Sequence, residues 1–193
     1  MDGEAAAGRP TLAVFASAHG PGDPERASIM SQAGTLLARR GARIICLCEQ
    51  EAIAVPLITS ARAAGGEVLI IAGEDLKVPA ALAEVPIERL AEREARLARI
   101  AELATAFVGL PGSLASASSL YAAWVRSGGG EGGKPVVLLN RNRSFEVMRG
   151  MAADVLSHSV KRHDRYVVFT DSIDDLWNKV SWALGEAGHR VAG

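Results

Sequence analysis

Residues Phe107–Trp124 read "FVGLPGSLASASSLYAAW". An apolar run breaks at Pro111-Gly112, and a helix-forming stretch follows it. Proline beside glycine is a strong local stop, so the segment reads as strand, turn, helix. Such a corner points the free N–H groups of a helix start toward the strand's carboxyl end, where phosphates often bind. Here it carries Ser113, Ser116, Ser118 and Ser119 and no charged side chain.

The same alternation continues on both sides. Thr11–Ser17, Ala42–Cys48, Glu67–Ala72, Ala106–Leu110, Pro135–Asn140 and Tyr166–Thr170 are short apolar runs that read as six strands. Helical patterns separate them: Glu25–Arg40, stopped by Gly41; Ile53–Ala64, stopped by Gly65-Gly66; a charged helix from Glu88 to Leu103; Ser116–Val125; Phe145–His158; and Ser172–Glu186, with Asp171 or Ser172 as its cap. Pro79 and Pro86 bracket a loop or short helix. "SGGGEGG" (Ser127–Gly133) precedes a strand and so reads as a connection, not a phosphate loop.

Continuously apolar strands alternating with helices predict an α/β fold: a doubly wound, Rossmann-like parallel sheet with helices on both faces. Ligands in such folds lie beyond the carboxyl ends of the strands. Those ends are Ser17–Pro24, Cys48–Ile53, Ala72–Lys77, Leu110–Ser116 and Asn140–Ser144.

Bulk composition narrows the function. The 193 residues suit one domain, with 1–9 expected to be flexible. A net charge of −1 and 5% aromatic residues give no case for nucleic acid. The N-terminus has no basic region leading into an apolar one, and no apolar run approaches a membrane span, so a cytoplasmic protein without a membrane partner is expected. Cys46 and Cys48 read as buried thiols in a strand. The four histidines show no ligand spacing with them, so neither a metal nor a cofactor is expected.

Several segments together resemble the LOG family, also called lysine-decarboxylase-like, whose members include cytokinin-activating phosphoribohydrolases and whose relatives include molybdenum-cofactor carriers. "VFASAHGPGDP" (Val14–Pro24) resembles the family's first strand and loop, and "LLARRGARIICLC" (Leu36–Cys48) its second strand. "AAGGEVLII" (Ala63–Ile71) resembles the approach to the third. "REARLARIAELATAFVGLPGS" (Arg93–Ser113) resembles the segment that carries Met-His-Glu-Arg-Lys ahead of a strand and P-G-G. "KPVVLLN" (Lys134–Asn140) resembles the fifth strand.

The family's motif, P-G-G-x-G-T-x-x-E, is altered here. Pro111 and Gly112 match, Ser113 and Ala115 replace glycines, and Ser116 replaces threonine. Ser119 stands where the family has its catalytic glutamate. Arg96 falls on the family's catalytic arginine, and Leu97 on the lysine after it. Glu49 stands in a former glycine cluster.

Cleavage of an N-glycosidic bond calls for a carboxylate to stabilise the oxocarbenium-like sugar and to help the base leave. A serine hydroxyl does neither. The resemblance therefore implies binding of a nucleotide or another phosphate-bearing molecule without hydrolysis, by a homodimer. Two alternatives stay open: hydrolysis through Glu49 or Glu51 as a substitute acid, and a cofactor-carrier or protein-interaction role.

The candidate ligand-binding residues are Ser17 and His19 in the first loop, Arg96, the turn residues Pro111, Gly112, Ser113, Ser116 and Ser119, and Asn140. Arg96 is the catalytic candidate if hydrolysis persists. Each has a plainer reading. Arg96 lies in a stripe with Arg89, Arg93 and Arg99 and can be a solvated helix face. The serines can simply cap a helix. His19 can be an exposed loop residue and Asn140 a turn former.

Overall fold

The computed structural model describes residues 8–17, 24–50, 52–128, 133–156, 158 and 166–189. Seven strands form one parallel sheet: β1 (Thr11–Phe15), β2 (Arg43–Cys48), β3 (Val68–Ala72), β4 (Ile87–Arg89), β5 (Ala106–Gly109), β6 (Val136–Leu139) and β7 (Val167–Thr170). Their order is β4-β3-β2-β1-β5-β6-β7. The chain winds outward from β1 in one direction, then restarts beside β1 at β5. This is the doubly wound α/β fold that the apolar runs predict, with its switch point between β1 and β5.

Among the described residues these α-helices cover the sheet: α1 (Pro24–Arg39), α2 (Val55–Ala63), α3 (Arg93–Leu103), α4 (Leu114–Arg126), α5 (Glu146–Met151) and α6 (Ile173–Glu186). On one face Leu37 of α1, Leu57 of α2 and Leu176 of α6 pack against Leu12, Ile44 and Ile70 of the strands. On the other, Leu97 of α3, Leu120 and Trp124 of α4 and Phe145 ahead of α5 pack against Phe15, Ile45 and Phe107. Alternate strand residues feed the two layers, as the two-residue period requires. At one contact the backbones nearly touch: a Cβ on Gly34 of α1 would lie 2.3 Å from the Leu57 carbonyl of α2.

The elements differ from the sequence reading in three places. Ile87–Arg89 is an edge strand, paired in register Ile70↔Ile87, so there are seven strands where six are expected. Pro86 forbids helix just before it, and its carbonyl accepts from Ile70 N at 2.9 Å, which starts the pairing. The charged helix consequently begins at Arg93 instead of Glu88. The helix expected over Phe145–His158 is not uniform: it is α-helical over Glu146–Met151, loosens into a π-helical turn over Ala152–Leu156, and is helical again at His158. The last helix is capped by Ser172, whose hydroxyl accepts from Asp174 N at 3.2 Å.

Cys46 and Cys48 are buried free thiols on the same side of β2. Burial pushes both thiols up, that of Cys48 to about 12. Among the described residues no helix is long and apolar enough to cross a membrane. Nor do they hold a group of three or more His, Cys, Asp or Glu placed to bind a metal.

Candidate functional site

At the switch point, a side-chain hydrogen bond bridges the chain just beyond the paired ends of β1 and β5. Ser17, fully buried just past β1, accepts from Ser113 N on its hydroxyl at 2.7 Å. Ser113 is the N-cap of α4 and accepts from Ser116 N at 3.2 Å, while Ser116 Oγ donates to the Ser113 carbonyl at 2.9 Å. The serines thus satisfy part of the helix start from within. The first-turn amides of Leu114 and Ala115 have no such side-chain cap among the described residues. Pro111 is buried, and Gly112 sits where a Cβ would come within 2.5 Å of Ser116 Oγ and 3.1 Å of Ser17 N. Only glycine lets the turn close over the first strand's end.

Parallel crossovers return each helix antiparallel to the strands, so α3 begins at the sheet's carboxyl edge. Its side chains lean toward that beginning, which carries Arg93 and Arg96 to the site. The two arginines then part. Arg93 Nη2 donates to Ser119 Oγ at 2.9 Å, and its Nε faces Glu49 Oε1 at 3.3 Å. Arg96 turns the other way: Nη1 donates to the carbonyls of Leu90 at 2.8 Å and Ala91 at 2.6 Å. Its Nη2 is 3.7 Å from Glu49 Oε1, and its Nε is buried without a hydrogen-bond partner among the described residues. The Arg96 side chain is 12% exposed and that of Arg93 43%.

The arginine that reaches Ser119 is therefore Arg93, not Arg96. The stripe in which both lie is visible in sequence, but its division is not. Arg89 anchors the end of β3 through the carbonyls of Gly73, Glu74 and Leu76. Arg99 pairs with Glu88 and Glu102. A helix start at Glu88 hides the fact that Arg93 opens α3.

Glu49 follows β2 in a tight turn closed by Ala52 N donating to the Glu49 carbonyl at 2.9 Å. Its carboxylate lies between Arg93 and Arg96, and also lines a polar cavity of about 400 Å³ with Gln50, Gly73, Glu74, Asp75 and Arg96. Asn140, buried at the end of β6, is engaged internally: Oδ1 accepts from Phe145 N at 2.7 Å and Nδ2 donates to Glu146 Oε1 at 2.6 Å. It also lines a polar cavity with Arg141, Arg143 and Arg149. His19 and Glu51 lie outside the described residues.

The structure thus brings together Ser17, Gly112, Ser113 and Ser116 at the turn, and Arg93, Glu49 and Ser119 beside it. Beyond the turn, between α4 and α5, lies an apolar cavity of about 500 Å³ lined by Ala117, Tyr121, Phe145 and Met148. Leu114 and Val147 on its rim are 87% and 86% exposed.

No family model matches the chain, and no curated protein matches it in sequence. Solved structures do. The molybdenum cofactor carrier protein of Chlamydomonas reinhardtii superposes with a TM-score of 0.68 at 16% identity, covering 92% of this chain and 99% of that one. The molybdenum cofactor binding protein of the phototrophic bacterium Rippkaea orientalis gives 0.65 at 16% identity over 90% and 96%. The structural-genomics target TM1055 gives 0.66 at 18% identity over 89% and 98%. At these identities the likeness is one of architecture: the chain has the fold of the molybdenum cofactor carriers.

Proposed function

We propose that this protein binds a nucleotide or another small phosphate-bearing molecule at the β1/β5 crevice and does not hydrolyse it. The observation that carries this reading is the contact from Arg93 Nη2 to Ser119 Oγ at 2.9 Å. A guanidinium remains where charge on a ligand would be met, while α4 offers it a neutral hydroxyl and no carboxylate. The uncapped amides of Leu114 and Ala115 add donors at the positive end of a helix. A molybdenum cofactor is one candidate ligand, since two neighbours in fold carry or bind it by name. The exposed apolar rim of α4 and α5, with Leu114 and Val147, is the surface on which the homodimer reading rests.

Thermal shift with a panel of nucleoside monophosphates and inorganic phosphate tests the binding, and chromatography for free base tests its inertness. A melting temperature raised by at least one phosphate-bearing compound, with no base released, is the expected result. No shift with any of them would overturn the reading.

A second reading has one observation in its favour. Glu49 Oε1 lies 3.3 Å from Arg93 Nε, so a carboxylate–arginine pair exists with its acid just past β2 in place of α4. It would make the protein a phosphoribohydrolase, and base release abolished by Glu49→Gln would establish it.

A further inference from the structure

We infer that Glu49 is a built-in competitor for the ligand's anion, and that Arg93 is the residue for which the two compete. The inference rests on the anion-binding reading above and names the residue that sets its strength.

Three side chains make the arrangement. One carboxylate is shared by two guanidiniums, at 3.3 Å from Arg93 and 3.7 Å from Arg96. Together they carry one excess positive charge. The two arginines are not equally available. Arg96 is nearly buried and holds two backbone carbonyls, so its departure would release the chain at Leu90 and Ala91. Arg93 is 43% exposed, and among the described residues its contacts are with the side chains of Ser119 and Glu49. It can change partners with no backbone contact broken.

The backbone at Glu49 is fixed by its turn, and the carboxylate is only 24% exposed. Such a carboxylate does not simply swing into water when an anion arrives. Glu74 and Asp75 line the same cavity, and among its described lining residues Arg96 is the one cation that could draw the carboxylate away. A phosphate approaching Arg93 meets an arginine already neutralised in part and a negative charge nearby. Affinity is lower than the arginine alone would give, and the deficit belongs to Glu49.

The test is calorimetry with adenosine 5′-monophosphate and with inorganic phosphate on the full chain. Glu49→Gln keeps the side chain's size and one acceptor oxygen and removes its charge. It should tighten binding roughly tenfold, the size expected for one unit charge at ion-pair range after discounting for solvent. Arg93→Gln should abolish binding, and the double variant should bind no better than Arg93→Gln. Arg96→Gln should lower the melting temperature more than it lowers affinity.

A structural role for Glu49 would not tighten binding when the charge is removed. Wild-type binding with no gain in Glu49→Gln, or a gain that survives in the double variant, overturns the competitor and leaves the binding reading standing. Binding of neither probe by wild type or Glu49→Gln overturns both.

Discussion

Arg93 and Ser119 join α3 to α4 by a 2.9 Å hydrogen bond from guanidinium to hydroxyl. The serine is buried and the arginine's outer edge is in solvent. Removing the hydroxyl therefore leaves a donor that water can satisfy. Ser119→Ala should cost less than about 1 kcal/mol in urea denaturation, and Ser119→Leu about 1–3 kcal/mol because the added volume has no room. A loss above about 2 kcal/mol from the alanine variant would mean that the contact holds the helices together.

Arg96 should matter more to stability than Arg93. Arg96→Met leaves two carbonyls without their donor and should lower stability by about 1–2 kcal/mol. Arg93→Met removes a half-exposed ion pair and should cost below about 1 kcal/mol. Denaturation midpoints of the two variants, measured side by side, decide the order. Equal losses would show that Arg96's carbonyl contacts contribute nothing.

Gly34→Ala normally helps a helix, by about 1 kcal/mol. Here the new methyl would lie 2.3 Å from the Leu57 carbonyl, and neither backbone can yield alone. A net loss of about 1–3 kcal/mol is expected, seen as a lower urea midpoint. Gly150, where a Cβ meets nothing within 4 Å, is the control.

Alkaline stability should fall through the buried thiols. The folded state holds the Cys48 proton up to about 12, while the ordinary thiol value is 9.0. Between those values the folded chain binds more protons than the unfolded one, so stability is present below about 9 and declines as pH rises toward 12. Cys46 is displaced in the same direction, by burial first and by Cys48 second. The double variant Cys46→Ala/Cys48→Ala should show a shallower decline of melting temperature above pH 9.0 than wild type. In the folded protein, both thiols should resist alkylation at neutral pH. Rapid modification of the native chain would contradict their burial.

The layers of the fold are legible in the sequence because burial writes itself into long apolar runs. "TLAVF", "RIICLC" and "VVLL" are apolar on both faces and announce a covered parallel sheet. Ile87–Arg89 escapes the same reading. Three residues at a sheet edge bury little, and their charges look like the start of the helix that follows. The site is legible at the turn, where Gly112 and Ser113 stand in one motif, though the bond from Ser113 to Ser17 across 96 residues is not. Arg93 is missed for a geometric reason. Arg93 and Arg96 share a helix face, and only the sheet edge and the loop at Leu90–Ala91 decide which one turns inward. Glu49 is visible as an acid near the site, but its position between two arginines depends on the turn that closes at Ala52.

The same short edge strand has a consequence for self-association. A sheet margin of three residues, with Glu88 tied to Arg99 and Arg89 tied to the β3 loop, gives an incoming strand few open backbone groups to extend. Strand-by-strand growth into fibres is disfavoured at this margin. Sticky surface is concentrated instead on α4 and α5, around Leu114, Tyr121 and Val147. Copies that meet there would join through helices, a contact that closes on itself when it is two-fold and does not propagate.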